Sequence, residues 1–200
     1  MSSAVLYMSM SLDGFVTGPN ESPDNPLGDG GDRLHEWLFP IAVDHHQRAG
    51  EQLRGVNRQV YDEFMSTGAV VAGRGTFEPA DGWGGDHHDG VPIYILSRNP
   101  APAWAAEWPA VRYVSDLDAA VQDAKHGAGD KNVLVHGAGI TQRAIAAGLL
   151  DELEIHLVPI LLGEGRRLFD NLGVAQRDLE RIRVLEGEDG VTDLRYRVRR

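Results

Sequence analysis

Two short runs in this chain carry the residue types that bind phosphate. Gly73-Arg74-Gly75-Thr76 and Gly137-Ala138-Gly139 each follow an apolar run and open a helix-forming stretch. At such a turn the first N–H groups of the helix have no intrahelical acceptor and carry partial positive charge, so they attract anions. Glycine lets the backbone approach a ligand where a Cβ would collide. One such turn is ordinary; two in one chain, the first bearing an arginine and a threonine, point to a phosphate-bearing ligand. Ser97-Arg98 adds a second guanidinium at the end of another apolar run, and the planar fork of arginine matches phosphate oxygens. The competing reading of Arg74 and Arg98 is a pair of surface cations matched by nearby carboxylates. Neither turn is the G-x-G-x-x-G fingerprint with its later acidic residue, and no Walker lysine follows Gly139.

Other chemistry has less support. Asp44-His45-His46 and His87-His88-Asp89 could converge on one metal ion, but adjacent loop histidines point apart and no H-E-x-x-H spacing occurs. No metal site is expected. There is no G-x-S-x-G nucleophile elbow and no cysteine, which removes thiol nucleophiles, thiolate ligands and disulfides together.

The elements that must position these residues follow from the pattern. Val5 to Met10, Ala69 to Gly73, Val91 to Leu96, Val111 to Val114, Asn132 to Val135 and Leu153 to Val158 predict strands. Asp32 to Phe39 predicts a short amphipathic helix stopped by Pro40, and Asn57 is placed to cap a helix through Ser66. Ser115-Asp116-Leu117-Asp118 matches a capping box, with Gly127 as the stop of its helix, and the turn at Gly137 opens another helix toward Gly148. Leu179 to Glu186 and Val191 to Val198 predict an antiparallel pair around Asp189-Gly190. Strands alternating with helices predict an α/β domain with a mostly parallel central sheet, flanked by helices and closed by antiparallel C-terminal strands. The Gly/Pro-rich stretch from Gly18 to Gly31 is long for a connection, as functional loops are.

The whole chain bounds these readings. It has 200 residues, 42% hydrophobic and 24% charged, with a net charge of −11, which fits one globular domain over residues 1–200. An acidic chain without a Lys/Arg run does not suit nucleic acid, and no apolar run approaches a membrane span. The residues from Met1 to Val5 lack the basic segment of a signal peptide, so the expected location is cytoplasmic.

Ser11-Leu12-Asp13-Gly14-Phe15-Val16, Gly73-Arg74-Gly75-Thr76-Phe77 and Leu96-Ser97-Arg98, each after a strand, resemble proteins of the dihydrofolate reductase fold. The run from Val133 to Phe169 is more specific. Its pieces are Val133 to Gly139, Ala147-Gly148-Leu149-Leu150-Asp151-Glu152-Leu153, Val158 to Gly165 and Leu168-Phe169. In that order they resemble the reductase domain of the riboflavin-biosynthesis deaminase/reductase, in its stand-alone bacterial form.

The resemblance implies an NADPH-dependent oxidoreductase, a homodimer, that moves hydride to a C=N or C=O bond of a small, possibly heterocyclic, substrate. It places Gly73, Arg74, Gly75 and Thr76 at the adenosine phosphate side and Ser97 and Arg98 by the 2′-phosphate. Gly137, Ala138, Gly139, Ile140, Thr141 and Gln142 would cradle the pyrophosphate, with Met10 and Asp13 at the nicotinamide. Phe15, Trp37 and Trp83 are available to wall the substrate pocket. Two departures accompany it. The deaminase half needs cysteine ligands that this chain lacks, and the reductase's acid just before the glycine turn is replaced by Val135-His136. Asp32 or Glu36 could serve as the carboxylate that holds a pterin. The alternative reading is a nucleotide-binding or interaction protein of the same fold without turnover.

Reducing a C=N bond needs a proton as well as a hydride. Asp13 is the ionisable side chain that the first strand delivers. It is either the acid, its pKa raised by burial against residues such as Phe15, or a scaffold accepting hydrogen bonds from the turn at Gly14. The apolar run Ile155, Leu157, Val158, Ile160, Leu161 and Leu162 is either the dimer surface or a fully internal strand.

Overall fold

Continuous apolar runs of four to eight residues are the mark of strands buried on both faces, and they form the middle of this protein. The computed structural model describes residues 2–38, 52–173 and 176–199. Its main sheet has eight strands: β1 (Ala4–Ser11), β3 (Ala69–Gly73), β4 (Ile93–Leu96), β5 (Val111–Val114), β6 (Val133–His136), β7 (Glu152–Val158), β9 (Leu179–Glu186) and β10 (Thr192–Val198), in the order β5-β4-β3-β6-β1-β7-β10-β9. From β5 through β7 the strands run parallel, and β10 and β9 finish the sheet antiparallel. A second, two-stranded sheet pairs β2 (Phe15–Thr17) with β8 (Arg166–Arg167).

Helices cover both faces. α3 (Leu117–Ala128) and α4 (Ala138–Ala146) bury Ala120, Val121, Ala124, Ile140, Ala144 and Ile145 against Leu6, Val71, Val135 and Ile155. α1 (Gly55–Met65), the four-residue α2 (Arg74–Phe77) and the 3-10 turn Gly31–Leu34 lie over the other face, where Phe77 meets Val5, Val70 and Ile95. The expected α/β class with an antiparallel C-terminal pair is therefore the observed one.

Several element ends differ from the sequence expectation. α3 is capped by Asp116, whose carboxylate accepts from the Ala119 N–H at 2.8 Å, and it ends at Gly129, with φ +62°, instead of Gly127. Asn57 lies inside α1 and caps nothing. Its own N–H donates to Glu188 Oε2 at 3.0 Å, and its amide oxygen accepts from the Glu188 N–H at 3.2 Å. Asp32 to Phe39 forms the 3-10 turn and further turns through 38; its end at Phe39 and Pro40, like His45 and His46, lies outside the described residues. The Gly18 to Gly31 loop is folded on itself, with Asp29 accepting from the amides of both Asn20 and Asn25. Within the run expected at a dimer surface, Ile155 and Val158 are buried in the core. The large apolar side chains left exposed include Leu161 and, on β9, Leu179, Ile182 and Val184.

Candidate active site

The carboxyl ends of β3, β4 and β6 open together onto a cleft of about 200 Å³, lined by Gly73, Gly75, Thr76, Leu96, Gly139, Ile140, Arg143 and Arg166. The two glycine turns thus meet in one place. Gly137 starts α4 with φ +108°, a conformation L side chains rarely adopt, and a Cβ there would collide with Thr76 Oγ1. α4 has no side-chain cap, which leaves its first N–H groups available to an anion.

The other residues expected at the phosphates are distributed differently. Arg74 makes a bidentate pair with Glu78, at 2.7 and 3.1 Å, and Glu78 also accepts from the Tyr113 hydroxyl. That arginine therefore has the carboxylate partner of the competing reading. Ser97 Oγ bonds the backbone of Asn99, while Arg98 is exposed, with no ion pair among the described residues. Ala138 is buried, Thr141 Oγ1 returns to the Gly137 carbonyl, and Gln142 Nε2 donates to the carbonyls of Arg167 and Leu168. These three hold the cleft wall without lining it. Met10 packs with the α3/α4 side of the core.

Arg143 and Arg166 were not anticipated. Arg143 stands one helical turn after Gly139, a spacing that puts both on one helix face and was legible in principle. Arg166 arrives through the pairing of β8 with β2 and is held by Glu21 at 2.7 Å, which no local pattern announces.

At the end of β1, Asp13 accepts from Ser11 Oγ at 2.5 Å, the Gly163 N–H at 2.7 Å and the Leu162 N–H at 3.2 Å. The Ser11 hydroxyl, with the two amides, pulls its carboxyl below the usual value. This is the opposite of the rise expected from burial, and it makes Asp13 a latch on the 160–165 segment and a poor proton donor at neutral pH. Phe15 is buried beneath the Arg167 guanidinium, 4.3 Å from its ring.

Trp37 and Trp83 border a different feature, the face of β1 that carries Tyr7 and Ser9. His136 from β6 bonds the Tyr7 carbonyl through Nδ1 at 3.1 Å, which fixes that nitrogen as the donor. His156 from β7 lies beside Ser9 in register and bonds Asp193 of β10 at 2.5 Å. Trp37 stands 4.7 Å from the His156 ring and donates to Ser9 Oγ at 3.0 Å. Trp83, at φ +52°, packs on Phe77, His87 and His136. Burial pushes His136 down to about 4 and His87 down to about 2, and it lowers His35 as well, so all three rings are neutral at pH 7.

His87 and His88 bond one another through their Nδ1 atoms, and His88 Nε2 is engaged by Thr67. Among the described residues no group of three metal-ligating side chains comes together. The carboxylates suggested for a pterin do not enter the β1 face: Asp32 is exposed and Glu36 pairs with Arg33.

Residues 3–192 match the family described as the RibD C-terminal domain. The chain belongs to that family. A solved structure described as a candidate riboflavin biosynthesis protein from Shewanella sp. PV-4 superposes with a TM-score of 0.72 at 23% identity, covering 100% of both chains. A pyrimidine reductase-like protein from Corynebacterium diphtheriae gives 0.64 at 15%, over 100% of this chain and 92% of that one. RibD from Acinetobacter baumannii gives 0.60 at 17%, and this chain, wholly covered, spans 59% of it. These structures share the fold. A search of curated protein sequences finds no match. In this RibD C-terminal domain, the residue just before the glycine turn is His136, neutral and bonded to the central strand.

Proposed function

We propose that this chain is an NADPH-dependent reductase that delivers hydride to a C=N or C=O bond of a small heterocycle of the uracil type. The observation that carries the reading is the single cleft into which two strand–glycine–helix turns and two arginines converge. A dinucleotide fits it on chemical grounds. The glycine at 137 keeps the floor open, Gly139 has open space where a Cβ would be, and the start of α4 is uncapped. Gly73, Gly75, Thr76, Gly139 and Ile140 would hold the phosphates, with Arg143 and Arg166 balancing their charge. The bound nicotinamide would supply the hydride. This chain's residues would orient the acceptor and exclude water, with Trp37 and Trp83 as apolar walls. Two structural relatives bear on the substrate: the Corynebacterium protein is described as pyrimidine reductase-like, and one from Thermotoga maritima, of which this chain spans 57%, as a diaminohydroxyphosphoribosylaminopyrimidine deaminase/5-amino-6-(5-phosphoribosylamino)uracil reductase.

Fluorescence titration with NADPH and NADH tests this. Arg143→Ala weakens both nucleotides, while Arg98→Ala, at the proposed 2′-phosphate position, weakens NADPH alone. Each loss is about 10- to 100-fold, the size of one charge-assisted phosphate contact. Arg74 contributes to that position only by leaving Glu78. Equal wild-type affinities reject the NADPH preference, and unchanged NADPH binding in Arg143→Ala rejects the cleft assignment.

We also propose a cytoplasmic homodimer, its surface moved from the internal strand to the overhang of the sheet. Ile182 and Val184 on β9 are exposed beside the half-buried Leu194 of β10, an apolar strip that a second copy would cover. Light scattering gives a dimer mass for the wild type and a monomer for Val184→Glu. A wild-type monomer at micromolar concentration rejects the dimer.

A further inference from the structure

The β1 face needs a proton source, and the groups on it can be sorted by what each is already doing. Asp13 is committed to the 160–165 segment. His136 and His35 are kept neutral at pH 7 by burial, and the Nδ1 hydrogen of His136 is committed to the Tyr7 carbonyl. Tyr7 is pushed up to about 12, chiefly by burial, and keeps its proton. That leaves His156. Its Nδ1 is bonded to Asp193, a residue with no solvent exposure whose second oxygen has no partner. A carboxylate can only accept, so Nδ1 carries hydrogen and Nε2 is the nitrogen free to exchange a proton. Among the described residues nothing bonds Nε2. Trp37, fixed by its own bond to Ser9, sets the plane against which the ring rests.

We propose that the His156–Asp193 pair is the proton donor of the reduction, with Asp193 as its positioning residue. This inference rests on the reductase reading. In the step, the substrate carbon gains a hydride from the dihydronicotinamide, which is oxidised, and the π pair of C=N moves onto nitrogen. That nitrogen takes the Nε2 proton of the His156 imidazolium, which becomes neutral and recovers a proton from water. The register supports the placement. His156 lies opposite Ser9 near the carboxyl end of β1, and β1 is the neighbour of β6, whose end opens the nucleotide cleft. The groups around the ring are Asp193 from β10, Glu154 from its own strand, Tyr7 from β1, His136 from β6 and His35 from the 31–38 segment.

The test uses ring-15N-histidine protein and NADP⁺. The expected result is that wild-type His156 shows the Nδ1–H form, that NADP⁺ shifts its ring signals, and that Asp193→Asn loses the fixed form. A wild-type ring without hydrogen on Nδ1 overturns the proposal, as does NADP⁺ binding that leaves His156 unmoved. If neither NADP⁺ nor NADPH binds, the reductase reading falls and this role falls with it. With 5-amino-6-(5-phosphoribosylamino)uracil as probe, His156→Gln lowers the single-turnover rate about 100-fold. The variant also loses the high-pH decline of the rate, while its NADPH affinity stays within about twofold, as expected of a lost acid. A rate within about threefold of wild type overturns the proposal. If the wild type leaves that compound unreduced, the NMR result alone decides.

Discussion

Between pH 7 and pH 4 the protein loses stability on the order of several kcal/mol. The cause is two half-buried imidazoles that the fold desolvates. In the unfolded chain a histidine titrates near 6.5, whereas in the folded protein burial holds His136 at about 4 and His87 at about 2. Their contribution is complete above about 6.5 and is lost as the pH falls below it, because the unfolded chain then binds protons that the folded one refuses. His136 stops contributing to the slope near pH 4, and His87 continues lower. Glu154 works against the trend, since burial raises its carboxyl and protonation favours the folded state. Asp13, Glu63 and Glu188, all lowered, add their loss only once carboxylates begin to protonate. Urea denaturation at pH 5 and 7 measures the effect, and His136→Gln makes the curve shallower. Equal stability at the two pH values would falsify the account.

Gly137→Ala costs about 2–5 kcal/mol, combining a disfavoured backbone with an overpacked contact. The φ of +108° strains any L residue, and the new methyl group meets Thr76 Oγ1. Relief requires the two glycine turns to separate, so the affinity for NADPH falls by tenfold or more along with the denaturation midpoint. Gly139→Ala is the comparison. That position has open space and an ordinary φ, so the substitution leaves folding within about 0.5 kcal/mol. A Gly137→Ala protein as stable as the wild type removes the close approach of the two turns from the explanation of the cleft.

Sequence pattern located the buried strands well because a strand covered on both faces must be apolar throughout. Ala69–Gly73 is read at its observed limits for that reason, while the edge strands Val111–Val114 and Leu179–Glu186, neither covered on both faces, are legible from the turn residues that bound them. Helix ends were less legible where two capping residues stood side by side: Ser115 and Asp116 are both good caps, and only geometry selects the aspartate. The glycine turns of the cleft were legible, because a strand running into Gly and then a helix is a local signal. Functions that depend on distant pairing were not. Nothing near Asp13 shows that its partners are the amides of Leu162 and Gly163, and nothing near Arg166 shows that β2 will bring it to the cleft. His156 and Asp193 meet only because β7 and β10 pair in one register. The same holds for the charged side chains that tie α1 to the sheet, where Arg183 bridges Glu63 and the fully buried Glu154.

The start of α1 depends on Glu188, which lies 131 residues beyond Asn57. During synthesis this helix is therefore made long before the group that satisfies its first amides. β1 is in the same position, since both of its neighbours, β6 and β7, come after residue 130. The N-terminal third cannot complete its own hydrogen bonding when it first emerges, and its contacts are of high sequence separation, which slows folding. The segment from β3 through β5 is different, for its parallel pairs close over short crossovers. Assembly is thus expected to begin in the middle of the chain, with β1 slotting between β6 and β7. The 187–191 turn arrives late and locks a helix made early.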